Sequence, residues 1–370
     1  MINKHEFQMA AKAFRAGRLS LEQFTAKVFP ATPTTETHPT ANPSANPSAN
    51  PSANPSASPS ASPPVSPPVS PTSVLLPVLP ERKRTSHKGD YGRILLIGGS
   101  NGMAGAISLS SLAALRCGAG LVKVAIPASL QPIVAGFSAC YMIVPCADQW
   151  GNWSDPSQLE LKQAVEWAEV LAIGPGMGRG RSQQTLVADI FHQAVQPVVV
   201  DADGLNALAD AKTDLRQHRG PRILTPHSGE FDRLIAHSPG ISPGISATDG
   251  AKPLDREARE QAAIQLAAET ETIIVLKGDR TLVTNGRESF RNTTGNPGMA
   301  TGGSGDVLTG VIAALLGQKL NPWEAAILGV HLHGLAGDLA AAQTGMVSLI
   351  AADLVDHLPA AVLKQTSGSD

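Results

Sequence analysis

Charge and aromatic rings are both scarce in this 370-residue chain: Asp, Glu, Lys and Arg make up 16% and Phe, Trp and Tyr 4%. A net charge of −2 leaves no electrostatic footprint for nucleic acid or an anionic membrane. Small molecules are therefore the expected partners. Cysteine is nearly absent: Cys117, Cys140 and Cys146 have neither metal-ligand spacing nor the even count of a disulfide framework. They read as small core residues of a reduced compartment. The N-terminus is polar, and no apolar run reads as long enough for a signal peptide core or a membrane span. A cytoplasmic location is the expectation. What the chain does have is 35 Gly and 29 Pro. Much of the proline lies in one block, so the remainder has an ordinary α/β composition.

Three segments follow. In 1–30, Phe7, Ala10, Ala11 and Phe14, then Leu19, Leu21, Phe24 and Val28, flank Gly17, a pattern for two short amphipathic helices. A pair this small does not hold itself together. Docking on a partner, docking on the main domain and transient helicity all stay open. Segment 31–80 repeats Ala-Asn-Pro-Ser between Ala41 and Ser56, then varies Ser-Pro and Pro-Pro-Val. Frequent proline removes backbone donors and nothing apolar recurs, so this is a disordered, partly polyproline-like linker. The folded domain is expected over 81–370.

Within it, short, largely apolar runs predict buried strands: Arg93 to Gly98, Leu121 to Ile126, Val170 to Ile173, Val198 to Asp201, Arg222 to Thr225 and Thr272 to Lys277. Helical patterns separate most of them, which predicts a doubly wound, mainly parallel sheet with helices on both faces. A hairpin is expected around Asn285-Gly286. Residues 238–254, where Pro-Gly-Ile-Ser is duplicated, read as a loop insertion.

The chemistry concentrates near Asn292–Gly310. Gly298, Gly302, Gly303 and Gly305 precede an apolar helical pattern of Val307, Leu308, Val311, Ile312, Leu315 and Leu316. Glycines at a helix N-terminus admit a phosphate to unpaired backbone N–H groups. Asp306 is a carboxylate in that same place. Beside a phosphate it serves as a base toward a hydroxyl about to be phosphorylated; as a simple first-turn residue it is ordinary. Other polar groups fall where strands end, on the edge that binds ligands in open α/β sheets. Asp201 and Asp203 there offer a magnesium ion carboxylates, or Asp203 caps a helix. His227 sits between Pro226 and the helix opened by Gly229. Lys277, before Gly278, reaches a polyphosphate as a point charge.

Asn296-Pro-Gly-Met-Ala-Thr-Gly-Gly-Ser-Gly-Asp-Val-Leu-Thr-Gly310 resembles the anion-hole motif of the ribokinase-like superfamily, and more closely the signature of the ADP-dependent NAD(P)H-hydrate dehydratases. Lys88-Gly-Asp-Tyr-Gly-Arg93, Met103-Ala-Gly-Ala106, Gly174-Pro-Gly-Met-Gly178 and Thr225-Pro-His-Ser-Gly-Glu230 are similar to further motifs of that family, except that Ser228 stands where proline is common. The resemblance implies a ribokinase-like fold and dehydration of the S form of hydrated NADH or NADPH with ADP as co-substrate; Mg2+ is the cofactor expected beside the strand-end carboxylates. The resemblance also implies Asp306 as the catalytic base. Ala106, Gly178, His227 and Asp306 would border the hydrated nicotinamide, although Ala106 also reads as a close helix–strand contact. Lys277, Gly278, Asp279, Arg280 and Thr281, with Gly303, Ser304 and Gly305, would hold the nucleotide. It further implies a homotetramer. The residues before Glu81 are too few and too Pro-rich for the epimerase domain often fused to this family, so an epimerase is expected as a separate protein. The rival reading is an ATP-dependent ribokinase-like small-alcohol kinase.

Overall fold

The computed structural model describes residues 75–154, 159–237 and 254–367. All belong to one unit, Pro67–Asp370. The helical pair expected in 1–30, most of the 31–80 linker and nearly all of the 238–254 insertion lie outside the described residues. Strands are β1 (Arg93–Ile97), β2 (Leu121–Pro127), β3 (Met142–Cys146), β4 (Asp148–Gln149), β5 (Asn152–Trp153), β6 (Val170–Ile173), β7 (Val198–Val200), β8 (Arg222–Leu224), β9 (Ile273–Leu276), β10 (Leu282–Thr284) and β11 (Ser289–Arg291). Helices are α1 (Ala104–Arg116), α2 (Gln131–Phe137), α3 (Leu159–Trp167), α4 (Arg181–Gln193), α5 (Asp203–Asp210), α6 (Ser228–His237), α7 (Arg256–Thr270), α8 (Ser304–Gly317), α9 (Pro322–Thr344) and α10 (Ala351–Ser367).

Nine strands form one sheet in the order β11-β10-β9-β8-β7-β6-β1-β2-β3. The pairs from β9 to β3 are parallel, whereas β10 and β11 add an antiparallel hairpin. The continuous apolar strands have a direct cause, because successive residues point into different cores. Ile94 and Leu96 pack with Val311, Ile312 and α9 and α10, while Leu95 and Ile97 pack with Leu186, Phe191 and Leu205 on the other face. Chain order runs outward from β1 to β3, then returns to the far side of β1 with β6. That reversal is a topological switch point, where loops after neighbouring strands diverge and leave a crevice.

Two local expectations change, and one strand lies outside those the sequence predicts. Met142–Cys146, which contains Pro145, is β3, at the sheet's edge, where a missing N–H costs little. Helix α9 is, by length and composition alone, apolar enough to cross a membrane, contrary to the sequence expectation, but most of that stretch is buried inside the fold. Leu76 and Leu79, counted with the linker, pack partly buried against the core that contains α8 and α9. Packed chain therefore begins ahead of the expected boundary at Glu81.

Candidate active site

Helix α8 starts where the glycines predict, and α9 fixes the approach to it. Asn292 Nδ2 donates to Val330 O (3.1 Å) and Thr294 Oγ1 to His331 O (2.8 Å). Gly295 N and Asn296 Nδ2 donate to the Asp338 carboxylate at 2.9 and 3.0 Å. Gly303 then takes φ 93°, a left-handed conformation that suits glycine, and becomes the N-cap. The Ser304 hydroxyl donates to Met299 O (2.8 Å), which closes its own turn. His333 Nε2 lies 2.9 Å from Ser304 O, and burial pushes the His333 pKa down to about 4. A neutral imidazole thus donates to that carbonyl. The first-turn amides of α8 have no i−4 carbonyls and sit at the positive end of the helix dipole.

Asp306 occupies that first turn. Its pKa is raised to about 7, by burial first and by Asp201 next; Lys277 opposes, and Asp203 and Glu230 add smaller increments. From α1, Ser110 Oγ donates to Asp306 O (2.7 Å). Asp201, at the end of β7, is 1% exposed. Its Oδ1 meets Lys277 Nζ at 2.6 Å and its Oδ2 accepts from Thr309 Oγ1 at 2.7 Å. Lys277 Nζ also lies 3.6 Å from Glu230 Oε2. Burial pulls the ammonium's pKa down, but Asp201 and Glu230 outweigh it and the net direction is up. A Cβ on residue 305 would sit 3.1 Å from Lys277 Nζ, so Gly305 lets the lysine approach the helix start.

His227 and Lys277 pair as a parallel bridge, with Lys277 N donating to Pro226 O (2.8 Å). The His227 ring accepts at Nδ1 from Gly229 N (3.0 Å), which leaves Nε2 to carry the proton. The His227 backbone amide donates to Glu230 Oε2 at 2.8 Å, and the ring Nε2 lies 3.4 Å from Glu230 Oε1. Across the switch point, Gly99 N donates to Pro175 O (2.9 Å) and Ser100 Oγ to Gly176 O (2.8 Å), which interlocks the loops after β1 and β6. A Cβ at Gly176 would come within 2.8 Å of Ala106 Cβ. Ala106 is thus close to the loop after β6 rather than to a strand, on the side of this crevice. Gly178 N donates to Asp203 Oδ2 (2.8 Å).

Asp306, Lys277, Gly305 and His227 come together in this way, with Ala106 and Gly178 on the crevice side. The loop of Gly278, Asp279, Arg280 and Thr281 runs outward from Lys277. Asp279 is held by Arg256 through its backbone O (2.7 Å), and Thr281 Oγ1 donates to Gly278 O (3.1 Å). Asp279 and Arg280 are exposed and, among the described residues, touch nothing in the Asp306 cluster. Thr309, Ser110 and His333 were not foreseen. Thr309 has a signal, being the one hydroxyl in the apolar run after Asp306; His333, inside the apolar α9, reads equally well as core.

The magnesium proposal for Asp201 does not fit, since both oxygens are engaged within the protein. No group of three or more His, Cys, Asp or Glu poised to hold a metal occurs among the described residues. A second cleft, of about 470 Å³, lies at the opposite edge of the sheet between His218, Arg222, Glu271, Asn285 and Trp323. Arg222 and His218 there spend their nitrogens on backbone carbonyls, so the cleft has structural polar groups.

The sheet order, the glycine-opened α8 and the carboxyl in its first turn define a ribokinase-like α/β protein. A ribokinase-like superfamily protein from Enterococcus faecalis V583 shares this fold with TM-score 0.64 and 29% identity, over 78% of this chain and 92% of that one. Residues 94–360 match the family model described as NAD(P)H-hydrate dehydratase, and the chain belongs to that family. The bifunctional NAD(P)H-hydrate repair enzyme of Moorella thermoacetica is 44% identical over 76% of this chain and 51% of that protein. The chain thus spans about half the length of the bifunctional relatives it matches. The ADP-dependent (S)-NAD(P)H-hydrate dehydratase of Bacillus subtilis is 34% identical over 76% of this chain and 92% of that protein. The structure of the B. subtilis ADP/ATP-dependent NAD(P)H-hydrate dehydratase, co-crystallised with ATP/Mg2+, aligns with TM-score 0.63 and 32% identity over 78% of this chain and 95% of that one.

Proposed function

We propose that the chain dehydrates the S form of hydrated NADH or NADPH with ADP, giving NAD(P)H, AMP and phosphate. The observation that carries this reading is Asp306, a carboxyl held near neutrality in the first turn of a glycine-opened helix. An ordinary Asp is too weak a base at neutral pH, whereas one titrating near 7 is matched to taking a hydroxyl proton. Asp306 removes the proton of the hydroxyl on the hydrated ring as that oxygen attacks the β-phosphorus of ADP, and AMP leaves. Phosphate then departs with the ring's C–O bond and the ring loses a neighbouring proton, which restores the double bond. The atoms of water leave in the phosphate. The elimination asks little of the protein, because phosphate is a far better leaving group than hydroxide.

Ala106, Gly178 and His227 would line the ring side. Lys277 to Thr281, with Gly303, Ser304 and Gly305, would take the nucleotide, using the α8 amides for phosphate oxygens. A magnesium ion would be held by the nucleotide's own phosphates, as the engaged carboxylates form no cage, and the proton transfer to Asp306 does not depend on it. The same reading includes a homotetramer, supported by the family resemblance, and a cytoplasmic location, in keeping with three free cysteines. The test is to incubate the purified protein with hydrated NADH plus ADP or ATP and follow NADH absorbance and AMP release. Recovery with ADP supports the reading. Absence of NADH recovery with either nucleotide, together with ATP-dependent phosphorylation of a small alcohol, would replace it with the kinase reading.

A further inference from the structure

Outside the residues assigned to ligands, Asp201 is the carboxylate that joins the end of β9 to α8. It is 1% exposed and holds two elements at once. Lys277 at the end of β9 and Thr309 on α8 are bound through separate oxygens, at 2.6 and 2.7 Å. Thr309 stands three positions after Asp306, on the same helical face one turn along. Lys277 begins the loop assigned to the nucleotide. A carboxylate merely neutralising a buried lysine would need no second donor, and one anchoring a helix would need no lysine.

We propose that Asp201 is the positioning residue of this site, setting the helix that carries the base and the lysine of the nucleotide loop in one register. The proposal rests on the dehydratase reading and deepens it. Its electrostatic consequence follows from what surrounds Asp306. The charged or titratable groups there are Asp201 from the end of β7, Asp203 from α5, Glu230 from α6 and Lys277 from β9, with His333 of α9 hydrogen-bonded in the same turn. A second carboxylate disfavours ionisation of the first. Asp201 therefore makes Asp306 a stronger base as well as placing it. It also pairs with Lys277, whose charge lowers the basicity of Asp306 and would be less offset without that carboxylate. Replacement by a neutral amide acts through both routes in the same direction, toward a weaker base.

The experiment compares the wild-type chain with Asp201→Asn, Thr309→Val and Thr309→Ser. Asn keeps the size of Asp and an acceptor for Thr309. Carboxyl titration of Asp306 is read by carbon NMR, assigned with Asp306→Asn, and needs no turnover. Turnover of hydrated NADH with ADP is measured across pH in parallel. In Asp201→Asn the Asp306 midpoint should fall by roughly one unit or more. The acid limb of kcat/KM should follow it down, and the ADP KM should rise about tenfold as Lys277 loses its anchor. Thr309→Val should lower kcat about tenfold with the ADP KM nearly unchanged, and Thr309→Ser should restore it. An Asp306 midpoint and an ADP KM both unmoved in a folded Asp201→Asn variant would overturn the proposal. So would a Thr309→Val variant with wild-type kcat. A wild-type chain that never restores NADH would instead defeat the dehydratase reading, while the NMR titration still decides whether Asp201 controls Asp306.

Discussion

The amide of Gly178 donates to Oδ2 of Asp203 at 2.8 Å, which ties the loop after β6 to the first turn of α5 after β7. The second oxygen of Asp203 accepts from Asn206 Nδ2 at 3.3 Å. The N-cap of α5 is Ala202, at φ 50°. Asp203 is thus a clamp on a glycine loop, a role that neither magnesium binding nor helix capping describes. Asp203→Ala should loosen Gly178 and raise the KM for hydrated NADH by roughly five- to tenfold, the loss of about one charged hydrogen bond, with kcat changed much less. Steady-state kinetics on the variant check this; a kcat loss with KM unchanged would count against the clamp.

Asp306→Asn should cut turnover by roughly a hundredfold to ten-thousandfold, the usual contribution of a general base, with the fold preserved. ADP affinity should hold or rise, because a negative charge beside the phosphates is gone. In the wild type, kcat/KM should climb with pH through about 7, where the raised carboxyl loses its proton. A pH–rate profile flat between 5 and 8 would contradict a base of this kind.

The same carboxyl should leave a mark on stability. Its folded pKa of about 7 stands above the ordinary 3.8. Between those values the folded chain keeps a proton that the unfolded chain has lost, so stability falls as pH rises, and the loss is complete above about 7. Asp306→Asn removes that penalty. The variant should match the wild type near pH 4 and exceed it at pH 8 by on the order of 2 kcal/mol, a figure reduced for partial exposure. Urea unfolding at the two pH values measures the difference.

Truncation should separate two boundaries. Removal of 1–74 takes away none of the site residues named above, and turnover per folded chain should be unchanged. Removal of 1–80 also takes Leu76 and Leu79 off the core. That should cost roughly 1–3 kcal/mol, read as a lower Tm, again with little change in turnover.

Much of this protein is decided locally and so is legible in the chain. Ile94 to Ile97 are apolar at every position because both faces of β1 are covered, and that same continuity announces a parallel sheet. The glycines before Ser304 and the carboxyl of Asp306 mark a helix start and its chemistry, since amide geometry and side-chain type belong to the segment itself. What only the tertiary structure decided is which distant residues share a charge. Asp201 meets Lys277 from 76 positions away and Thr309 from 108. Those encounters depend on β7, β8 and β9 lying side by side and on α8 packing against β7. Read alone, Asp201 suggested a metal ligand; the strand order delivered a lysine and a threonine to its two oxygens and made it a buried brace. Likewise β3, with its Pro145, is acceptable as a strand only because the topology puts it at an edge.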